Sequence, residues 1–182
     1  MHTDERVILL DDDGGAIGSA LKATVHSAHT PLHLAFSCYI FNAEGELLLS
    51  RRALSKATWP GVWSNSFCGH PAPGEGMQRA IARRASDELG AEITSVELAA
   101  PDFRYRAPDA SGIVENEICP VYVARLASDL QPNPHEVVDT AWVGLDRLAE
   151  AVTHTPFAFS PWLALQLPHV LSHAPEYRGA LR

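Results

Sequence analysis

The sequence predicts an α+β fold, in which helices cover a mixed β-sheet to form an α/β/α sandwich. Three observations support this prediction. The order of elements along the chain is hairpin, strand, helix, more strands, helix, which is typical of a layered α+β domain. The 182 residues suit one domain with one sizeable core. No internal repeat or linker divides the sequence, so we expect a single domain over residues 1–182.

The first predicted elements are β-strands joined by turns. The apolar run at residues 7–10 predicts an edge strand, and the Asp-Gly-Gly sequence at residues 13–15 predicts the turn that closes it. Residues 32–41 are rich in aromatic and aliphatic side chains and predict a second strand. Residues 42–45 predict a turn and residues 46–52 a returning strand, so these two strands form a hairpin.

The middle of the chain predicts an ordered loop, a helix and two strands. Residues 59–76 are dense in Trp, Pro and Gly, and such aromatic side chains need burial. Apolar residues at helical spacing predict a helix over residues 77–89, and Gly90 suits the position just after its end. Residues 93–98 and 103–105 predict further strands.

The last third of the chain predicts two strands and a helix before its final element. Residues 113–126 form a strong strand candidate, although Pro120 implies an edge position or a bulge because proline has no backbone N–H. Residues 141–143 predict a short strand, and residues 145–152 predict a helix.

A final helix is predicted after Ser160. Serine is a favoured N-cap residue, and Pro161 occupies the first helical position, where proline is well tolerated. Pro168 then follows within the same apolar segment. Because proline removes an internal hydrogen bond, we expect Pro168 to kink or end this helix early.

Composition and charge limit the classes of protein to consider. Hydrophobic residues make up 46% of the chain and charged residues 20%, an ordinary globular composition. A formal net charge of −8 provides no broad positive field for nucleic-acid binding. No apolar run approaches the roughly 18 to 20 residues that cross a bilayer, so we expect no membrane insertion.

The three cysteines predict free thiols in a reducing compartment. Their odd number and wide spacing argue against a disulfide framework and favour a cytoplasmic location. Cys68 lies between an aromatic residue and a glycine, with His70 two residues on, which predicts a reactive thiol. The alternative is a small buried hydrophobic residue. Cys38 and Cys119 lie in apolar strands and are predicted to be core residues.

One group of candidate residues runs from the loop before residue 77 into the helix. Arg84 and Glu88 are one helical turn apart and share a face. Glu88 can offer an oxygen to a hard divalent cation, with Arg84 beside it for phosphate binding or for orienting the acid. Glu75 can add a second carboxylate or hold the loop. The alternative is a solvated amphipathic helix with ordinary ion pairs.

Two carboxylates and three histidines form a candidate metal site. Glu115 and Glu117 are two residues apart in a predicted strand, so they point to the same face, which looks like the core side. Buried carboxylates require a metal or bases to neutralise them. His26, His33 and His70 can converge there to give a mixed N/O site suited to Mn²⁺ or Mg²⁺, with Zn²⁺ as the alternative. The competing interpretations are a solvated turn and ordinary structural histidines.

Basic residues form a candidate anion site. Arg52 and Lys56 are four residues apart, and Lys22 and Arg84 can join them. In an acidic protein, a local basic cluster near Cys68 suits an anionic substrate such as a diphosphate. The alternative is ordinary surface charge.

Taken together, these motifs resemble the bacterial type I isopentenyl-diphosphate isomerases, which are built on the Nudix fold. The resemblance covers roughly residues 7–166. It is carried by the stretches LHLAFS, RRALSK, WPGVWSNSFCGHP, PDFRYRAPDASGIVENEICPV and TPFAFSPW. The helix departs from the general Nudix motif, because Arg84 stands where hydrolases usually have Glu and Asp87 replaces the first of the paired acids. This loss of carboxylates argues against a pyrophosphohydrolase and is typical of the isomerase branch.

The resemblance implies a role for each candidate residue. It implies that Cys68 and Glu117 are the catalytic groups and that Tyr105 supports Glu117. It implies a Mg²⁺ ion that is bound by Glu88 and also holds the diphosphate. The residues that it implies for the second divalent metal are His26, His33, His70, Glu115 and Glu117. The residues that it implies for the substrate are Lys22, Arg52, Lys56 and Arg84 at the diphosphate and Trp162 at the hydrocarbon end.

The implied reaction moves a double bond through a tertiary carbocation. It needs an acid and a base on opposite faces of a flat isoprenyl diphosphate, which the resemblance assigns to Cys68 and Glu117. One alternative is a Nudix hydrolase of nucleoside diphosphate compounds, which needs a carboxylate-rich helix and no cysteine. Another is a non-catalytic Nudix-like scaffold, which needs neither group. The expected state of the protein is a monomer or a weak homodimer.

Overall fold

Two mixed β-sheets form the framework of the protein in the computed structural model, which describes residues 5–173. The first elements in chain order are β1 (Arg6–Leu10), β2 (Ala16–Leu21), α1 (Lys22–Val25), β3 (His33–Leu34), β4 (Phe36–Phe41), β5 (Leu47–Arg52), β6 (Trp63–Ser64) and β7 (Phe67–Gly69). They are followed by α2 (Met77–Leu89), β8 (Ile93–Ala100), β9 (Arg104–Pro108), β10 (Val114–Ile118), β11 (Val121–Leu126), β12 (Val137–Val143), α3 (Leu145–His154), a 3₁₀ turn (Pro156–Ala158) and α4 (Pro161–His173).

The chain crosses between the two sheets at two neighbouring places. The five-stranded sheet has the order β2-β1-β3-β10-β9, and the larger sheet has the order β12-β5-β4-β11-β8, with β6 and β7 paired to β5 and β4. Strands β3 and β10 are parallel in the first sheet, and their continuations β4 and β11 are parallel in the second. The crossings are joined by hydrogen bonds from Ala35 N to Ile118 O at 3.0 Å and from Ser37 N to Pro120 O at 3.1 Å.

These crossings correct two strand predictions. Residues 32–41 and 113–126 were each expected to form one strand, but each is divided between the two sheets. Pro120 lies at the second division, where it has no N–H to donate and its carbonyl serves β4 instead. The predicted alternation still holds inside each part, because the side-chain period of two applies only while a strand stays in its sheet.

Helices cover both faces of the larger sheet, which confirms the α/β/α arrangement. On β4, Tyr39 and Phe41 face the layer of α3 and α4, whereas Cys38 and Ile40 face α2. All four side chains are almost fully buried. Burying such a side chain contributes roughly 1.5 to 3 kcal/mol, so this central strand joins the two halves of the core.

Helix α2 has the predicted bounds and the predicted end. Gly90 follows Leu89 in the left-handed region with φ of 58°, and its N–H donates to Ser86 O at 3.0 Å. A Cβ atom at this position would lie 2.4 Å from the carbonyl oxygen of Gln131. Glycine is therefore required here for two reasons, the backbone conformation and the close approach of the chain.

Three other sequence predictions change. Strand β1 is not an edge strand, because β2 and β3 lie on either side of it. Strand β2 was not predicted, because its residues have no clear strand pattern. The predicted loop at residues 59–76 contains β6 and β7. Helix α4 continues through Pro168 to His173, because its buried Leu163, Leu167 and Val170 hold it against the sheet. Ser160 caps α4 as predicted, with Leu163 N donating to Ser160 Oγ at 3.4 Å.

The tail that follows Pro168 is described only as far as His173, and residues 174–182 lie outside the described part. Among residues 5–173, we find no helix with both the length and the apolar character needed to cross a membrane.

Candidate active site

Four of the predicted metal ligands converge beside the crossing of the two sheets. His33 begins β3 and is paired in register with Glu117 on β10. His26 follows α1, and His70 follows β7. One potential ligand atom from each of these four residues lies within 4.8 Å of the others. These histidines come from distant parts of the sequence. The fold, and not their spacing along the chain, brings these three of the nine histidines together.

Glu115, the fifth predicted ligand, lies beside this group. Its Oε2 is 3.0 Å from His26 Nε2, and its Oε1 accepts a hydrogen bond of 2.7 Å from the hydroxyl of Thr58. Glu115 and Glu117 are both buried, which confirms that they point inward. Thr58 has no sequence signal of its own and was not predicted, yet it fixes one of the two oxygens of Glu115.

The hydrogen bonding of this group leaves atoms that suit a metal ion. Within the described residues, His26 Nε2, His33 Nε2, His70 Nδ1 and Glu115 Oε2 are buried and lack a hydrogen-bond partner. Unpartnered buried polar atoms are unfavourable, and a cation would satisfy them. Three imidazoles and two carboxylates form a mixed N/O donor set that suits a divalent metal.

The charges of this group depend on one another. His33 Nδ1 donates to Pro31 O at 3.0 Å. Burial alone would lower the pKa of His33, but the nearby carboxylate of Glu117 raises it above its usual value. Burial lowers the pKa of His70 to about 4, although Glu117 opposes this effect. Burial alone would raise the pKa of Glu117, but the imidazoles of His33, at 3.4 Å, and His70, at 3.1 Å, hold it well below its usual value, which favours an ionised carboxylate.

Tyr105 lies opposite Glu117 in the antiparallel pair of β9 and β10. Residues paired in this way have neighbouring side chains on one face of the sheet. Burial raises the pKa of the Tyr105 hydroxyl well above its usual value, and the charge of Glu117 adds to the effect. Tyr105 therefore presents a protonated hydroxyl group beside the carboxylate.

Cys68 lies on β7 in a polar environment. Its Sγ is 3.3 Å from Ser37 Oγ and 3.3 Å from Asn65 Oδ1. Burial raises the pKa of the thiol to about 12, although the bonds with Ser37 and Asn65 lower it and Glu117 raises it further. The effect of burial exceeds that of the polar neighbours, so the environment favours the protonated thiol. Cys38 and Cys119 are buried, as predicted.

Trp162 is buried next to this thiol. Its Nε1 donates to Asn65 Oδ1 at 2.9 Å, so Asn65 connects the thiol and the indole. The ring of Trp59 contacts the Trp162 ring edge-on at 5.3 Å between centroids. The guanidinium carbon of Arg52 lies 5.2 Å from the centroid of the Trp162 ring, which is a cation–π contact. Asn65 belongs to the quoted WPGVWSNSFCGHP stretch, but its role was not predicted.

A pocket next to Cys68 brings together two of the four predicted anion-binding residues, Arg52 and Lys56. Its lining includes Arg52, Lys56, Cys68 and Glu88, together with Glu136, which was not predicted. Arg52 Nη2 donates to Thr58 O at 2.9 Å, and Lys56 forms an ion pair with Glu136. The pocket wall therefore alternates basic and acidic groups, an arrangement suited to an anion that arrives with a divalent cation.

Arg84 and Glu88 form the predicted ion pair on α2, and both are buried. Arg84 Nη2 also lies 3.6 Å from Glu136 Oε2. Burial opposes the charged form of Arg84, but Glu88 and Glu136 hold its pKa above the usual value. Lys22 is outside the pocket lining, and its Nζ pairs with Glu5 Oε2 at 2.7 Å.

Glu75 holds the loop between β7 and α2 and is not among the candidate metal ligands that gather around Glu117. Its carboxylate accepts hydrogen bonds from Arg83 at 2.9 and 2.8 Å and from Ala72 N at 2.9 Å. The bonds from Arg83 lower the pKa of Glu75 to about 2, against a small opposing effect of burial. Of the two functions proposed for this residue from the sequence, the structure supports the second.

This fold and site define the class of protein. The NUDIX domain family matches residues 31–163. A crystal structure of a protein from Deinococcus radiodurans has a TM-score of 0.69 at 20% identity and covers 90% of this chain and 98% of that one. A MutT NUDIX hydrolase from Burkholderia pseudomallei has a TM-score of 0.59 at 22% identity, covering 76% and 98%. The chain has the Nudix fold, as predicted.

Relatives at high sequence identity define the particular family. A protein from Clavibacter michiganensis subsp. michiganensis, named isopentenyl-diphosphate Delta-isomerase, is 64% identical over 92% of this chain and 86% of its own length. Proteins of the same name from Paenarthrobacter aurescens and Citrobacter koseri are 61% and 56% identical, over 94% and 90% of this chain and 93% and 91% of their own lengths. The chain belongs to the isopentenyl-diphosphate Delta-isomerase family. This result confirms the resemblance and does not favour the hydrolase alternative.

Proposed function

We propose that the protein is an isopentenyl-diphosphate Delta-isomerase of isoprenoid biosynthesis. It reversibly converts isopentenyl diphosphate into dimethylallyl diphosphate. The single observation that carries the proposal is the pair of Cys68 and Glu117. Cys68 lines the pocket, and burial raises the pKa of its thiol, whereas Glu117 lies beside His33 and His70, which lower the pKa of its carboxyl group. One proton donor and one proton acceptor are what a double-bond shift requires.

The reaction transfers two protons and leaves the diphosphate intact. Addition of a proton to the terminal carbon of the alkene produces a tertiary carbocation, and loss of a proton from the neighbouring carbon forms the new double bond. Cys68 is the donor and Glu117 the acceptor in the resting protein, with the Tyr105 hydroxyl beside Glu117. In the reverse direction the same two groups exchange roles, because the step is reversible.

Trp162 stabilises the carbocation and excludes water from it. The indole is 3% exposed, and it already contacts the guanidinium of Arg52. An aromatic ring contributes about 2 kcal/mol or more to a desolvated cation. Because water would trap a carbocation, the buried surroundings of the indole also protect the intermediate.

Two metal ions complete the proposal. The histidine and glutamate group would hold one divalent metal, Mn²⁺ or Mg²⁺ with Zn²⁺ as the alternative. When bound, this metal would orient Glu117 and neutralise part of the buried negative charge. Glu88 would bind a Mg²⁺ ion that arrives with the diphosphate. The bases that would bind the diphosphate are Lys22, Arg52, Lys56 and Arg84.

The remaining features of the proposal concern the context of the enzyme. We expect one domain over residues 1–182, a monomer or weak homodimer, and a small isoprenyl diphosphate as the partner. The three free cysteines support a reducing, cytoplasmic location.

Deuterium incorporation tests the reaction class. The purified protein is incubated with isopentenyl diphosphate and Mg²⁺ in deuterated water, and we expect dimethylallyl diphosphate that carries deuterium. Release of phosphate from nucleoside diphosphate compounds, with no movement of the double bond, would instead identify a hydrolase. Absence of both reactions would favour a non-catalytic scaffold.

The role of Cys68 is tested by substitution. We expect Cys68→Ser to fold normally and to lose about 10²-fold or more of kcat, because a serine hydroxyl is a much weaker acid than a thiol. The matched control is Cys38→Ala, which removes a buried thiol away from the pocket and should retain the rate. A near-normal rate in Cys68→Ser would refute the catalytic role.

A further inference from the structure

Four fully buried polar side chains surround Cys68. Ser37, Tyr39, Asn65 and Gln166 have no exposed surface. Burying a polar group is unfavourable unless it is hydrogen-bonded, so a cluster of this kind requires both complete pairing and a reason to exist. All four belong to one connected chain of hydrogen bonds, and this chain includes the sulfur of Cys68.

One end of the chain has a fixed direction. The Tyr39 hydroxyl donates to Gln166 Oε1 at 2.9 Å, and within the described residues it has no other hydrogen-bond acceptor. The amide of Gln166 is therefore oriented so that Nε2 faces Ser37 Oγ, to which it donates at 3.0 Å. Because this donation occupies a lone pair of Ser37, the hydroxyl proton of Ser37 is free for another acceptor.

The other end of the chain is fixed as well. Asn65 Nδ2 donates to Cys38 O at 3.1 Å and to Phe67 O at 2.8 Å. Asn65 Oδ1 must then accept, and its donors include the Cys68 thiol. Since the S–H proton is directed to Asn65, the sulfur of Cys68 is the acceptor for Ser37, which lies directly opposite it in the pair of β4 and β7.

A second thiol lies beside Ser37 without disturbing this direction. Cys119 Sγ is 3.4 Å from Ser37 Oγ. The Ser37 oxygen has two lone pairs, so it can accept from the Cys119 thiol as well as from Gln166 Nε2. This pairing leaves the hydroxyl proton of Ser37 for Cys68.

We propose that Ser37 and Gln166 are positioning residues that fix the hydrogen bonding of Cys68 for proton transfer. This inference rests on the proposed function. Gln166 fixes the orientation of Ser37, and Ser37 donates to the sulfur throughout the reaction. When the S–H bond breaks, its proton leaves the hydrogen bond with Asn65 and goes to the alkene carbon. The electron pair stays on sulfur, and the Ser37 O–H remains bonded to it. Trp162 is one turn before Gln166 on α4, so a single helix face supports both the thiol and the indole.

Steady-state kinetics test the proposal with two variants and a matched control. Ser37→Ala removes the donor, and Gln166→Met removes the amide at similar volume. We expect each to lower kcat by about tenfold or more while KM changes less than twofold, because the change affects proton transfer and not diphosphate binding. Gln78→Met makes the same substitution at an exposed position of α2 and should leave both constants unchanged.

The double variant separates positioning from general structural support. If Gln166 acts through Ser37, the combination of Ser37→Ala with Gln166→Met should be no slower than Ser37→Ala alone, since residues in one network are not additive. Independent, multiplying losses in kcat would overturn the proposal. So would a raised KM with an unchanged kcat.

Raman spectroscopy of the S–H stretch gives a measurement that does not depend on turnover. The band that disappears in Cys68→Ser identifies the Cys68 thiol. We expect this band to shift in Ser37→Ala and in Gln166→Met, because the sulfur loses or changes the hydrogen bond that it accepts while the S–H group keeps its bond to Asn65. An unmoved band would overturn the inference. A shifted band in a protein that cannot isomerise the substrate would support the orientation of the thiol and refute the proposed function.

Discussion

Two neighbouring regions satisfy their charges in opposite ways. One is the pocket beside Cys68, and the other is the candidate metal group, which consists of His26, His33, His70, Glu115 and Glu117. In the metal group, four buried atoms lack a hydrogen-bond partner within the described residues. In the pocket lining, Lys56 pairs with Glu136 and Arg52 donates to backbone carbonyls. Beside the pocket, Arg84 pairs with three carboxylates, those of Asp87, Glu88 and Glu136. The first region offers unpartnered atoms to a cation, whereas the basic groups of the second already have internal partners.

Because of this difference, the two regions would accept their ligands in different ways. In the metal group, a cation can contact four buried atoms that have no hydrogen-bond partner to give up among the described residues. An anion entering the pocket must instead exchange partners with Glu88 and Glu136, unless a divalent cation takes over those carboxylates. The arrangement explains in physical terms why a diphosphate and Mg²⁺ would bind together. Four predictions test this comparison.

The largest effect is expected at Glu117, which belongs to the metal group and to the proposed chemistry. We expect Glu117→Gln to reduce kcat by about 10³-fold, because loss of the carboxylate removes the proton acceptor and a metal ligand together. Steady-state kinetics and elemental analysis measure the two losses separately. Glu92→Gln, at an exposed position, is the control. Full metal content in Glu117→Gln would remove Glu117 from the ligand set.

Thr58 tests whether the metal group depends on a supporting contact. We expect Thr58→Val to weaken Mn²⁺ binding by about tenfold or more, because Glu115 loses the hydroxyl that fixes its Oε1. Calorimetry of the metal-free protein with Mn²⁺ measures the affinity. Thr153→Val, on the exposed face of α3, should bind Mn²⁺ like the original protein. Equal affinities in both variants would mean that Glu115 needs no such support.

The pocket is tested by two substitutions with opposite expected signs. Lys56→Met should weaken the binding of inorganic pyrophosphate by about tenfold, or 1.4 kcal/mol. Glu136→Gln should strengthen it by a similar factor in the absence of Mg²⁺, because Lys56 and Arg84 lose a competing carboxylate. Arg147→Met controls for the loss of an exposed positive charge. Weaker binding in Glu136→Gln would contradict the exchange of partners.

The smallest effect is expected at Glu75, which holds the loop between the two regions. A carboxylate whose pKa falls from 4.5 to about 2 on folding stabilises the protein above pH 4.5 and loses this contribution as the pH falls toward 2. For a partly exposed ion pair, we expect Glu75→Gln to lower the free energy of unfolding by about 1 kcal/mol or less at pH 7. Urea unfolding should show that this difference shrinks near pH 2.5, whereas exposed Glu44→Gln should have little effect at either pH.

Features that depend on neighbours in the sequence were predictable. The i,i+4 spacing of Arg84 and Glu88 predicted their ion pair, and the alternation along β10 predicted that Glu115 and Glu117 share a buried face. The roles of Thr58, Asn65 and Glu136 were not predictable. Each of these side chains contacts a residue that is far away along the chain or on another element. A single threonine, asparagine or glutamate forms no sequence pattern that would predict such a contact.

The sequence by itself therefore determined the local elements, the types of residue available for chemistry and, through the family resemblance, the class of reaction. The bounds of α2 and its end at Gly90 followed from helical periodicity and from the conformational freedom of glycine. Only the tertiary structure decided that the chain passes from one sheet to the other between β3 and β4 and again between β10 and β11. These crossings bring three histidines and Glu117 together. It also decided that the pKa of the Cys68 thiol is raised, because burial is a property of the packed molecule and not of the sequence.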